Sequence, residues 1–209
     1  MSDFVRTPTK TLDLTCQASQ NLLTALLAGE FLAEGTYAAV WRHGAAAFKL
    51  TCDPATQLMA SLLQAEPVPG LPRVFHVVHH AAEYEYTSYS AIVTELLTPV
   101  PARQFAPVRR AYVGCKKLAQ AQHSCVVDQS AHLALLMAKR LPEIQTSVLA
   151  AADLARVASG LEWLATFMDE QDACADFGAR RNWMLSAQGN LVMSDPVVGF
   201  IPRLDALAK

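Results

Sequence analysis

The sequence predicts an α+β fold in two lobes. A small antiparallel sheet with one or two helices is expected over residues 1–98, and a shortened, mainly helical lobe over 99–209. Three observations carry this. Short apolar segments of period two, separated by turn signals, occupy residues 30–50 and 74–95. Three stretches with apolar residues at three- and four-residue spacing follow, at 106–123, 130–140 and 152–168. Residues 176–195 then read as a loop, a hairpin and a second loop.

Composition narrows the class. A chain of 209 residues makes one domain or two small lobes. With 52% hydrophobic residues it can bury a sizeable core. A net charge of −2 gives no global attraction to nucleic acid or acidic membranes. Its apolar runs stop short of the ~18 residues a membrane span needs. The N-terminal residues lack the basic-then-apolar layout of a signal peptide. The five cysteines (16, 52, 115, 125, 174) form no CxxC pair, which argues against a disulfide framework or a zinc site. A cytoplasmic, reducing location is the expectation. Oligomeric state is not legible.

Taken in order, residues 1–15 are polar, carry Pro8 and read as an irregular leader. Leu22, Leu23, Leu26 and Leu27 give a leader helix over 18–29 that stops at Gly29. Strands are expected at 30–35, 39–42 and 45–50, with tight turns at 36–38 and 43–44. Asp53 is a good N-cap and Pro54 suits the first turn of a helix reaching about Gln64. Pro67, Pro69 and Pro72 end it. Strands at 74–80 and 89–95 follow, then an extended connector around Pro99 and Pro101. His76, His79 and His80 read as strand residues, because alternation puts 79 on the opposite face from 76 and 80. The 152–168 helix, with Leu154, Val157, Leu161, Leu164 and Phe167, is the natural core helix.

The chemistry concentrates at two places. The 30–50 hairpin suits the covering of phosphates: a turn of small residues lets backbone N–H groups approach phosphate oxygens, and a strand lysine pairs with them. Against the kinase pattern G-x-G-x-x-G-x-V, the chain offers Ala33, Gly35, Ala38 and Val40, with Thr36 and Tyr37 in the turn and Lys49 on the third strand. The helix after Asp53 lacks the glutamate that pairs with this lysine in kinases, leaving Gln57 or Asp53 as partners. Thr94, Glu95 and Leu97 stand where a kinase hinge meets adenine. The second place is 176–195. Asn182 and Asp195 offer oxygen ligands that suit Mg²⁺, and Asp176 could orient a hydroxyl nucleophile. Thirteen residues separate Asn182 from Asp195, as in kinases, whereas Asp176 precedes Asn182 by six residues rather than five. The string Asp176-Phe177-Gly178 imitates the kinase metal-binding motif on the wrong side of the hairpin; its counterpart is Asp195-Pro196-Val197.

On these residues the chain resembles the early serine/threonine protein kinases of T7-type bacteriophages. The marks are Gly35 to Val40, Lys49, Pro69 to Val74, the strand 91–95, Asn182-Trp183-Met184 and Asp195-Pro196-Val197. The likeness covers about residues 30–100 and 150–200. It implies a divergent, minimal, bilobal protein-kinase-like fold, acting with ATP and Mg²⁺ on host proteins in the bacterial cytosol. Carried over position by position, Lys49 contacts ATP phosphates, Asn182 and Asp195 hold Mg²⁺, and Asp176 is the general base. Arg180 and Arg181 bind the phosphoryl group or an acidic partner, or are solvated loop charges. Fourteen residues follow Asp195 in this sequence, so the peptide is expected on another surface, the basic stretch Arg109 to Lys117 being one candidate.

Two other functions stay open. The missing helix glutamate, the sparse glycines and the six-residue gap suit a pseudokinase that holds a host protein without phosphoryl transfer. A small-molecule kinase of the aminoglycoside type shares the metal residues and needs an acidic acceptor pocket, for which Asp169, Glu170 and Asp172 are the local candidates.

Overall fold

Alternation along the fifth strand divides the molecule's interior. In the computed structural model, residues 4–9, 11–14, 24 and 28–199 are described. They form a mixed α+β structure. A seven-stranded antiparallel sheet has the order β1 (Phe4–Arg6), β2 (Thr11–Leu14), β6 (Val74–Tyr84), β7 (Thr87–Glu95), β5 (Ala46–Thr51), β4 (Ala38–His43), β3 (Glu30–Glu34). Leu50 of β5 is fully buried on one face with Leu12, Trp41, Ala82, Tyr89 and Ala91. Lys49, next along β5, faces the other way, and its register partners are Val40 and Ile92. Ile92 belongs to a second, larger cluster shared with the helices. Each fully buried leucine in these clusters contributes about 1.5–3 kcal/mol.

The sheet is curled. Beyond β1, the hydroxyls of Thr7 and Thr9 donate to Glu34 Oε1 at the end of β3, at 2.7 and 2.6 Å. The loop after β1 and the end of β3, at the two margins of the sheet, are thus bonded to each other.

The helix α1 (Pro54–Ala65) begins where the sequence places it. The Asp53 carboxylate accepts from Thr56 N–H at 2.8 Å, and Pro54 takes the first turn. After β7 a short strand β8 (Thr98–Pro99) leads to α2 (Ala102–Gln122), α3 (Val126–Arg140) and α4 (Ala151–Glu170). Leu154, Val157, Leu161, Leu164 and Met168 line the buried side of α4, the central core helix. Among the described residues, no helix is long and apolar enough to cross a membrane.

Two small sheets complete the chain. β10 (Trp183–Leu185) pairs with β11 (Leu191–Met193) and with β8, and β9 (Ala173–Ala175) pairs with β12 (Val197–Gly199). The loop of Pro69 and Gly70 lies hard against α4. A Cβ on Gly160 would sit 2.6 Å from Pro69 O, and one on Gly70, at φ +79°, 2.7 Å from Val157 Cα. Met193 N–H donates to Gly70 O at 2.9 Å, which ties this loop to β11 as well.

Several expectations change. The described part of the stretch read as an irregular leader forms strands: β2 pairs with β6 and carries the edge strand β1 on its other side, a pairing that local composition did not show. The leader helix over 18–29 lies outside the described residues apart from Thr24, Ala28 and Gly29. The strands expected at 74–80 and 89–95 extend into one long hairpin, with only Glu85 and Tyr86 at its turn, both at positive φ. Register shifts in β6 between Val74 and His76 and between Val78 and Ala82 break the alternation assumed for the histidines. His79 instead reaches Ser61 and Ser90, and His80 reaches Ser88.

Candidate active site

Lys49 leaves the sheet toward the segment that ends the hairpin. Its Nζ lies 2.8 Å from Asp195 Oδ1, joining residues 146 positions apart. The lysine side chain is 16% exposed and the aspartate 38%, so the pair is only partly hydrated. Gln57 and Asp53, the partners expected from sequence, do other work. Gln57 Nε2 donates to Thr51 O at 2.8 Å. Asp53 is buried and uses both carboxylate oxygens, one on Thr56 and the other on Gly199 N–H at 2.7 Å.

Backbone hydrogen bonds flank Asp195 and draw the other candidates to it. Ser194 N–H donates to Asn182 O at 2.9 Å, and Asp176 N–H donates to Pro196 O at 2.8 Å. The strand pair β9–β12, with Val197 opposite Ala175, continues this lacing. Within the loop, the buried Asn182 side chain donates to Asp176 O, and Trp183 Nε1 donates to Phe177 O at 2.6 Å. Phe177 is wholly buried and meets the Tyr112 ring edge-on at 6.0 Å. A single turn of 3-10 helix over Arg180–Asn182 takes up the extra residue of the six-residue gap.

Asp176 carries the electrostatic mark of the cluster. Burial pushes its carboxyl above the ordinary carboxylate value, and the neighbouring charge of Asp195 pushes it the same way. An Asn182 hydrogen bond and the charges of Arg181 and Lys49 oppose the rise. The Lys49–Asp195 contact, and the bonds that tie Asp176 and Asn182 to the residues flanking Asp195, bring these four together. Arg180 and Arg181 themselves are exposed.

The donor set fits a hard divalent cation. Asp195 and Asp176 supply carboxylate oxygens and Asn182 a carboxamide, and Mg²⁺ is held by one or two carboxylates with waters and phosphate oxygens completing its shell. A cation there would relieve the repulsion between the two carboxylates. Among the described residues, no three His, Cys, Asp or Glu side chains are grouped to hold an ion by themselves.

The residues expected to meet a nucleotide divide between two places. Val40 and Lys49 share the strand pair β4–β5, and Gly35, Thr36, Tyr37 and Ala38 form the exposed β3–β4 turn, closed by Gly35 N–H to Ala38 O at 2.7 Å. Cys52 N–H also donates to Tyr37 O. Thr94 and Glu95 end β7, and Leu97 stands between β7 and β8. Glu95 N–H donates to Arg73 O, the Glu95 carboxylate accepts from Arg73 N–H, and Leu96 N–H donates to Ala45 O. Thr94 Oγ1 donates to Glu95 O. Glu95 and Leu96 line a cleft of about 540 Å³ with the 67–73 loop, Arg156 and the 186–190 turn; Lys49, Asp176, Asn182 and Asp195 are not on its walls.

The acidic residues proposed for a small-molecule acceptor also lie elsewhere. Asp169 and Glu170 line a cleft of about 430 Å³ with Asp128, His123 and His132, and none of the four site residues borders it. Sequence reasoning missed the second role of Asp53. A capping aspartate is legible from Asp-Pro, but its bond to Gly199 is a contact across 146 residues that no local pattern reveals.

No protein-family model matches the chain, and no curated protein sequence matches it. Among solved structures the chain has a slight likeness to the crystal structure of an aminoglycoside-3'-phosphotransferase of type VIII. The two share 16% identity at a TM-score of 0.28, over 90% of this chain and 77% of that one.

Proposed function

We propose that this chain is a phosphotransferase with a bilobal, protein-kinase-like fold that moves the γ-phosphoryl group of ATP to a serine or threonine hydroxyl of a protein. The observation that carries the reading is the Lys49–Asp195 pair with Asp176 and Asn182 laced beside it. In this reading Lys49 neutralises phosphate oxygens, and Asn182 and Asp195 hold Mg²⁺. A bound Mg²⁺ would supply charge neutralisation at the phosphates. Asp176 accepts the proton of the attacking hydroxyl. That oxygen forms the new P–O bond as the bond to the bridging oxygen breaks, and ADP leaves with the electron pair. A carboxyl raised by burial and by a like charge is a better base than an ordinary one once deprotonated. Positioning and charge neutralisation supply most of the rate. The resemblance to phage early kinases supports a host protein in the bacterial cytosol as the acceptor.

A second reading has its own observation. Glu95 and Leu96 already spend their N–H groups on Arg73 and Ala45, which favours a pseudokinase that binds a host protein without turning over nucleotide. Two measurements separate them. Thermal unfolding with ATP, with and without Mg²⁺, reports binding to the native state. Transfer of label from γ-labelled ATP to acceptor protein reports chemistry. The phosphotransferase reading expects a Mg²⁺-dependent rise in melting temperature and labelling that Asp195→Asn abolishes. A wild-type protein that is neither stabilised nor active overturns it.

A further inference from the structure

We propose that the acceptor is an acidic protein segment seated on the exposed basic face of α2, beside the loop that presents Asp176. The inference rests on the phosphotransferase reading for its chemistry, but the surface stands on separate observations. α2 carries Arg103, Arg109, Arg110, Lys116 and Lys117, all exposed, and no carboxylate. Arg180 and Arg181 extend the patch onto the turn after Gly178. Seven of the chain's 17 lysines and arginines thus lie on one helix and one adjoining turn. Among the described residues, the four ion pairs use Arg42, Lys49, Arg140 and Arg156, so none of these seven is held in an ion pair.

The patch joins the candidate site through one residue. Tyr112 of α2 packs edge-on against Phe177, and a Cβ on Gly178 would overlap its phenol, so α2 lies directly against the Asp176 loop. Arg109 and Lys116 stand one helical turn to either side of Tyr112, on the same side of the helix. The Lys116 ammonium lies over the Tyr112 ring, 5.8 Å from its centroid. An extended segment crossing this face would pass from Lys116 or Arg109 to Arg181 and reach Asp176. Charge complementarity selects its composition: a chain of net charge −2 that sets Arg109, Lys116, Arg180 and Arg181 around the loop of its candidate base, with Arg103, Arg110 and Lys117 farther round the exposed side of α2, favours carboxylates flanking the acceptor hydroxyl. The acidic cleft of Asp128, Asp169 and Glu170 does not border the site, so a cationic acceptor has no matching wall there. A nucleic acid would meet the same cations, but continuity with the Asp176 loop favours a hydroxyl-bearing peptide.

The test uses the full chain and three fluorescent probes at low salt: a serine peptide flanked by aspartate and glutamate, the same peptide with glutamines, and an oligonucleotide of equal charge. Binding is read by anisotropy and transfer by label from γ-labelled ATP. The acidic peptide is expected to bind and to be phosphorylated about tenfold more efficiently than the neutral one, with loss of both advantages in high salt. Arg109→Glu with Lys116→Glu, both exposed, should remove that preference and leave the thermal response to Mg-ATP unchanged. Selective acidic binding without transfer upholds the surface and overturns the phosphotransferase reading. Equal binding of acidic and neutral peptides, or an unchanged preference in the double variant, overturns the surface. Tighter binding of the oligonucleotide reassigns it to nucleic acid and overturns the proposal.

Discussion

Replacing Lys49 by Met and Asp195 by Asn, singly and together, tests the contact on which the site depends. The pair is close at 2.8 Å, with the lysine 16% and the aspartate 38% exposed. Exposed pairs contribute about 0.2–1 kcal/mol, whereas removing one partner of a buried pair costs about 3–5 kcal/mol. Asp195 keeps access to water while Lys49 does not, so the coupling belongs between the two ranges, at about 1–2 kcal/mol. The singles should be unequal. Lys49→Met leaves a carboxylate that water can solvate. Asp195→Asn strands a mostly buried ammonium, although it also removes the negative charge that raises Asp176. For a domain of this size each kcal/mol moves the melting temperature by about 2–4 °C. Urea unfolding of all four proteins, at neutral pH in low salt, closes the double-mutant cycle. Singles that add to within about 0.3–0.5 kcal/mol would show that the two charges do not interact in solution, and would remove the main support for the site.

Asp176 makes a prediction about pH. Its folded carboxyl titrates above its unfolded value, so between the two the folded state holds more protons and stability falls as pH rises through the raised value. Asp176→Asn should flatten that fall and be no less stable than wild type at neutral pH, while abolishing transfer; a wild-type slope retained in the variant, measured by unfolding across the acid range, would assign it elsewhere. Gly160→Ala should cost about 2 kcal/mol or more despite alanine's higher helix propensity, because its methyl meets Pro69 O; calorimetry showing stabilisation would mean that the loop does not rest on α4. Asp53→Ala should cost about 2–4 kcal/mol, combining loss of the helix cap with loss of a charge-assisted bond, and should speed hydrogen exchange at Gly199. Asp53→Asn should restore part of that stability, and unchanged exchange at Gly199 in the alanine variant would refute the link between α1 and β12.

What could be read from the sequence depended on how local its cause was. The Asp53-Pro54 cap fixes the start of α1, and the leucine spacing of 152–168 marks the core helix, because both signals act within a few residues. The strands β6 and β7 were read too short, since Glu85 and Tyr86 make their tight turn at positive φ without a glycine to announce it. β1 and β2 escaped notice because their form is owed to pairing, β2 with β6 and β1 with β2, rather than to local pattern. The same divide runs through the site. Lys49 and Asp195 could be nominated from spacing, but not that they pair with each other; that follows from the curl of the sheet over the hairpin. The partners of the Glu95 and Leu96 N–H groups were hidden for a related reason: they are Arg73 and Ala45, residues whose proximity comes from sheet register.

The six-residue gap between Asp176 and Asn182 shows how a departure in spacing can leave geometry intact. A loop with one residue too many carries its end residues apart unless something outside the loop holds them. Here Asp176 N–H is bonded to Pro196 O and Asn182 O to Ser194 N–H, the two residues on either side of Asp195. The anchors belong to the second loop, so the distance between Asp176 and Asn182 is set by the three-residue segment 194–196 rather than by the length of the first loop. The surplus residue is absorbed in the turn of Arg180 and Arg181, which lies at the surface and is free to bulge. Phe177 and Trp183 close the loop from inside, through the indole N–H bonded to Phe177 O. Counting residues between a base and a metal ligand is therefore a weaker test of such a site than asking which backbone groups pin the two ends, and by that test Asp176, Asn182 and Asp195 form one unit.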